Sequence, residues 1–216
     1  MPSARAPKPR FVFDAVSGRY RSGTTGRYIS RGDVRQEVDR VIGKSSARVQ
    51  GFGRELRDGR LTLDQWRTSM RNEIRTQHLV AAMAAKGGRE QMTQSDYGRV
   101  GQLVRKQYAY LDNFAREIES GKVRLDGRFL SRSSLYSGAS RGTYHAVERT
   151  EMLARGFDEE KNILTAAEHC LGCLFESARD WVPLGELAPI GQRTCRTNCK
   201  CRIQYRNSAS GRRAAA

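Results

Sequence analysis

A chain of 216 residues is long enough to bury one sizeable core and carry an appendage. Its 39 lysines and arginines against 23 acidic residues leave a formal net charge of +16, carried mostly by arginine, which points to a polyanionic partner such as nucleic acid or an acidic protein surface but gives no specificity. No apolar run approaches the roughly 20 residues that a helix needs to span a bilayer, and Met1-Pro2-Ser3-Ala4-Arg5 offers no apolar core for an export signal, so the expected class is a soluble, non-membrane protein.

In chain order, residues 1–10 combine prolines and basic groups without periodicity and read as a flexible basic arm. Residues 11–30 alternate aromatic and β-branched residues with polar ones around Ser17-Gly18 and Thr25-Gly26, which predicts a β-hairpin packed on a neighbour. Its arginines interleave with Phe13, Tyr20 and Tyr28, a pattern suited to nucleic-acid contact or to a solubilised sheet edge.

From Asp33 the period becomes helical. Val34, Val38, Val41, Val49, Phe52 and Leu56 form the first apolar face, ended by Asp58-Gly59. A second helix opens at Thr62-Leu63-Asp64-Gln65 and continues through Trp66, Met70, Ile74 and Ala81 to Gly87. A third opens at Thr93-Gln94-Ser95-Asp96 and runs to Gly121. After a connection over 122–129, a fourth spans about 131–155 and is rich in Ser134, Ser137, Gly138, Ala139 and Gly142, small residues that let a neighbouring helix approach. The fold class is therefore mainly α: a bundle of about four long helices over 31–156. His78 and His145, alone on their helices, read as structural. The close run Glu148, Glu151, Asp158, Glu159 and Glu160 reads as a solvated face and a helix terminus.

Residues 157–205 lose periodicity and hold all five cysteines. Cys170-Leu171-Gly172-Cys173 is followed by a loop and by Cys195-Arg196-Thr197-Asn198-Cys199-Lys200-Cys201, the spacing of a tetrahedral thiolate site. Zinc suits such soft ligands. Two disulfides and a spare thiol would need an oxidising compartment, and unrelated core thiols would not gather in one window. Four of the five cysteines would ligate a structural zinc: Cys170, Cys173, Cys195 and Cys199, with Cys201 able to replace Cys195 or Cys199. His169 is expected beside the site and not in it. Trp181, Val182, Leu184, Leu187 and Ile190 are expected to form an apolar plug over the metal, Ile203 and Tyr205 a short closing strand, and 206–216 a basic, unpatterned tail.

Residues 140–205 resemble the phage Mu F-like minor head proteins, also called phage head morphogenesis proteins. The resemblance rests on Arg149-Thr150-Glu151, the Cys170/Cys173 pair, Pro189-Ile190-Gly191 and the closing cysteine cluster. It places Cys195 near the family's histidine and Cys199-Lys200-Cys201 on its Cys-Arg-Cys, which supports the same ligand set. The chain departs from the family at Glu168-His169, where an aspartate is usual, and in a Cys195–Cys199 spacing longer by one residue. The resemblance implies a virion component: a minor capsid protein with the portal or major capsid protein as partner, oligomeric in the particle, in the host cytoplasm during assembly, and near packaged DNA that it contacts without sequence preference.

Two alternatives stand beside it. A zinc-containing DNA-binding regulator, or a transient assembly factor, would share the charge and the cysteines but lacks reading-helix punctuation. An enzyme is not expected, because no Ser/His/Asp or Cys/His grouping, phosphate-cradling loop or carboxylate–histidine cluster is apparent, and no catalytic residue is assigned.

Overall fold

The computed structural model describes residues 11–14, 16–165, 168–211 and 213–214; the basic arm at 1–10 lies outside them. The chain is mainly helical, with two small antiparallel sheets. Four long helices, α1 (Arg31–Arg57), α2 (Leu63–Lys86), α3 (Gln94–Glu119) and α4 (Gly127–Ala154), occupy the middle of the sequence. α4 packs along both α1 and α2, while α3 lies chiefly on α2 and meets α4 only sparingly. None of the described helices is long and apolar enough to cross a membrane.

The sequence begins each of these four helices with a side chain that accepts from otherwise unpaired N–H groups. Ser30 and Asp33, Thr62 and Gln65, and Thr93 and Asp96 form reciprocal capping boxes. α1 therefore opens two residues before the expected Asp33, because Asp33 is the third residue of its own box. α4 likewise opens before residue 131: Asp126 accepts from Arg128 N at 2.8 Å and Phe129 N at 3.2 Å.

The helical core has two centres. Trp66, Met70, Ile74, Leu111, Phe114 and Phe129 fill one end, with the Trp66 and Phe114 rings edge to face. Val34, Val38, Ile42, Ala81, Ala85, Val100, Val104 and Tyr144 fill the other. Ile42, not Val41, continues the α1 stripe, since Val38 to Ile42 is the four-residue step that stays on one face.

The N-terminal hairpin is a three-stranded sheet, β1 (Phe11–Asp14), β2 (Arg19–Ser22) and β3 (Tyr28–Ile29). It docks on the end of α2 through Tyr20, whose buried hydroxyl donates to Ala84 O at 2.6 Å. The guanidiniums of Arg19 and Arg21 lie over the Tyr28 ring. Those arginines thus serve the sheet itself.

The last quarter is more ordered than the sequence suggests. β4 (Glu159–Ile163), β5 (Val182–Pro183), β6 (Arg202–Arg206) and β7 (Arg213–Ala214) build a sheet of order β5-β4-β6-β7, and the short helix α5 (Leu171–Ala178) lies between β4 and β5 in the chain. Only β6 is the expected closing strand. β4 escapes a hydrophobic reading because its two inward residues are Glu160 and Asn162, both fully buried. The tail is not wholly unpatterned either, since Arg206 ends β6 and β7 pairs with it.

Gly87 ends α2 at φ +107°, and a Cβ there would run into the Phe13 side chain. Gly87→Val should therefore lower stability by about 2 kcal/mol or more, through backbone strain and the displaced sheet. Gly98, helical with open space around it, provides the contrast: Gly98→Ala should stabilise by about 0.5–1 kcal/mol. Denaturant unfolding of both variants checks the pair.

Candidate metal centre

The first cysteine pair is set by the start of α5. Cys170 is its N-cap, Cys173 N donates to Cys170 O at 2.9 Å, and the two thiols share one face of the first turn. The second cluster frames a single 3-10 turn, Arg196–Asn198, with Cys195 before it and Cys199 closing it; Cys201 then leads into β6. Cys173, Cys199 and Cys201 are buried, and Cys170 and Cys195 are partly so.

The five sulfurs form two triads that share Cys173: Cys170, Cys173 and Cys195, and Cys173, Cys199 and Cys201, each within 4.8 Å. Cys173 Sγ lies 3.5 Å from Cys195 Sγ and 3.6 Å from Cys199 Sγ. A tetrahedral ion with metal–sulfur bonds of about 2.3 Å would set its ligands about 3.8 Å apart. The donor set and its spacing fit a metal ion. All five cysteines gather here, but the expected ligand set is divided between the triads: Cys170, Cys173 and Cys195 stand together, and Cys199 stands with Cys173 and Cys201.

Crowding divides the thiols electrically. The Cys173 backbone N–H, donating to the Cys170 sulfur, pulls that thiol down to about 7. The Cys201 thiol, donating to Cys199, holds Cys199 at about 5, while Cys201 itself is pushed up by the anion beside it. Such an array shares protons that a divalent cation would displace.

Basic and polar neighbours brace the cluster. Buried Arg193 donates to Ala188 O at 2.9 Å and Asn162 Oδ1 at 2.7 Å, and its Nη1 stands 4.0 Å from Cys173 Sγ. Asn162 Nδ2 in turn donates to Cys173 O at 3.1 Å. A cation beside a thiolate cluster offsets its negative charge, and sequence reading missed both residues: a lone Arg or Asn carries no spacing signal. His169 stands beside Cys201. Its Nε2 donates to Thr165 O at 2.6 Å, which turns Nδ1 toward Cys201 Sγ at 3.7 Å. Val182, Leu187 and Ile190 form the apolar layer with Ile203 and Tyr205. Trp181 sits at its margin beneath the Arg206 guanidinium.

The small residues of α4 admit this region. A Cβ on Gly138 would meet Thr197 at 3.1 Å, and one on Gly142 would meet Ile190 O at 3.0 Å. The close neighbour at these two glycines is the cysteine loop and not a helix. Arg141 fastens the contact, donating to Thr197 O at 3.0 Å and to Asp39 of α1.

The acidic run is a solvated face only in part: Asp158, just past the end of α4, is exposed, but two other members are not. Glu148 and Glu160 are fully buried. Glu148 accepts from Tyr144 OH at 3.1 Å and pairs with His145, Arg31 and Arg35. Glu160 accepts from Gly185 N at 3.0 Å and Leu187 N at 3.1 Å and faces Arg149 Nε at 2.9 Å. Glu151 pairs with Lys86. Periodicity counts charges as exposed, and here they are inside because arginines are inside with them. His78 and His145 are both buried, as structural histidines would be.

No family model, no curated protein and no solved structure matches this chain.

Two expectations follow. Cys173 belongs to both triads, so Cys173→Ser should weaken cobalt(II) uptake, read from the thiolate charge-transfer band, by more than the roughly 10–100-fold typical of losing an outer partner. Far-UV circular dichroism should keep most of its helical signal, since α1–α4 have their own core. Burial raises the Glu148 carboxyl, but His145, Arg35 and Arg31 outweigh it and hold the group below its ordinary 4.5. Its stabilisation is therefore complete above pH 4.5 and lost as pH falls through the lower native value. Glu148→Gln should cost about 3 kcal/mol at pH 7 by leaving the partly buried Arg31 and Arg35 without their counter-charge, and should flatten the acid limb of a stability–pH curve.

Proposed function

We propose that this protein is a minor capsid or head morphogenesis component of a phage particle, stiffened at its C-terminal end by a structural zinc. Cys170, Cys173, Cys195 and Cys199 would be its ligands, with Cys201 able to take the place of Cys195 or Cys199. The reading is supported by one observation above the others: the Arg149-Thr150-Glu151 tripeptide that carries the family resemblance sits where helices and cysteine region are tied together. Arg149 faces Glu160 and donates to Leu187 O at 3.2 Å, Thr150 meets Arg99 at 2.9 Å, and Glu151 pairs with Lys86. Such a residue set would be kept for holding the zinc module against the helices.

In this reading the helices act as a bundle that presents a docking surface to the portal or the major capsid protein. The module keeps the C-terminal end rigid, and the surplus positive charge lies near packaged DNA. Neutralising phosphates requires no sequence preference and weakens with salt. The role assigned is structural and not enzymatic.

The +16 charge also favours a second reading, a zinc-containing DNA-binding protein or assembly factor that leaves before maturation. Mass spectrometry of DNase-treated, gradient-purified particles separates the two. The expected result is this chain at a few to a few tens of copies relative to the major coat protein. Its absence from particles, with ample amounts in infected cells, would reject the virion reading in favour of the second.

A further inference from the structure

The loose contact between α3 and α4 leaves a cleft of about 450 Å³, roofed by the Pro189–Ile190–Gly191 loop. α3 turns one face into it: Arg99, Leu103, Lys106 and Tyr110 follow each other at steps of four, three and four residues. Opposite them stand His145, Arg149 and Thr150 of α4.

The charge in this cleft is one-sided, for no carboxylate lines it among the described residues. Arg149 has its counter-charge in Glu160. Arg99 has only the Thr150 hydroxyl, at 2.9 Å, and Lys106 makes no ion pair among the described residues. On the inner wall His78 holds Thr143 Oγ1 through Nδ1 at 2.6 Å, and its buried Nε2 has no hydrogen-bond partner among the described residues. Burial holds this imidazole down to about 4, so at neutral pH it is an uncharged polar group. In this chain most partly buried arginines are matched to carboxylates; here partly buried Arg99 is not, and it faces the same concavity as the exposed Lys106.

The rest of the lining is apolar or flat. Leu103, Pro189 and Ile190 make a hydrophobic wall, and the half-exposed Tyr110 ring stands at the rim. A concave site of a few hundred Å³ with apolar walls and a few converging polar groups is the usual form of a small-molecule site. A cationic pair beside an apolar wall and an aromatic ring matches a ligand with an anionic end and a flat, weakly polar end.

We propose that the α3–α4 cleft binds a nucleotide phosphate, with Arg99 and Lys106 on the phosphate and the base against Leu103, Ile190 and Tyr110. The phosphate can belong to a free nucleotide or to one residue of a single strand. This site is independent of where the protein resides.

The test is equilibrium binding by the full chain of three probes: 2′-deoxyadenosine 5′-monophosphate, deoxyadenosine, and an eight-residue oligothymidylate. Arg99→Gln/Lys106→Gln removes the cleft charges. Arg124→Gln/Arg128→Gln removes the same charge from exposed positions near the start of α4, roughly 20 Å along the helix by its rise per residue. The proposal expects saturable binding of the monophosphate, the oligomer or both, at least tenfold weaker in the cleft variant and changed less than about twofold in the control. Binding of the monophosphate alone assigns a free nucleotide, and binding of the oligomer alone assigns a strand. Equal loss in both variants would reduce the effect to overall charge and overturn the proposal. So would deoxyadenosine binding as tightly as its monophosphate, or no saturable binding of any probe. Circular dichroism confirms that both variants fold.

Discussion

Two consecutive residues of α4, Glu148 and Arg149, face different neighbours, and the other parts of the molecule meet through them. Glu148 is enclosed by Arg31 and Arg35 of α1 together with Tyr144 and His145 of its own helix. Arg149 reaches Glu160 of β4 and the Leu187 carbonyl. Taking either carboxylate out of water is costly unless charge and hydrogen bonds replace its hydration. The position of each therefore fixes where the arginines must be, and with them the seating of α1 and of the C-terminal sheet on α4. A charged interior of this kind tolerates less sliding than an apolar one, because a shifted register would leave a buried charge without its partner.

The cysteine cluster depends on that seating. Asn162, two residues after Glu160 on β4, holds the carbonyl of Cys173 and is itself held by Arg193. Gly138 and Gly142 let the loop that carries Cys195 and Cys199 lie against the α4 backbone. The thiol array thus inherits its geometry from the same helix that carries Glu148 and Arg149. The arginine excess takes on a second meaning as well. Arg31, Arg35, Arg141, Arg149 and Arg193 are engaged within the protein, so part of the positive charge is structural and only the remainder is left for solvent or a partner.

The residues that give local signals were readable in the sequence. Thr62 with Gln65 and Thr93 with Asp96 mark helix starts because capping needs only neighbours three residues apart. Trp66, Met70, Ile74, Leu111 and Phe114 could be assigned to the core because a helix repeats its buried face every three to four residues. The cysteine spacing showed that the thiols could meet, since each pair is brought together by one turn. β4 could not be read this way. Its inward residues are Glu160 and Asn162, and nothing within five residues of them says that Arg149 and Arg193 will be waiting.

The sequence by itself determined the four long helices, most of the residues that line their core, and a thiol-rich C-terminal end able to take a metal. These follow from contacts between residues close along the chain. Only the tertiary structure decided which charges are buried, that α4's glycines receive a loop and not a helix, that Cys173 belongs to two triads, and that α3 leaves Arg99 and Lys106 facing a cleft. Those outcomes depend on pairings across many residues, where one charge's cost is set by a partner that local pattern cannot see.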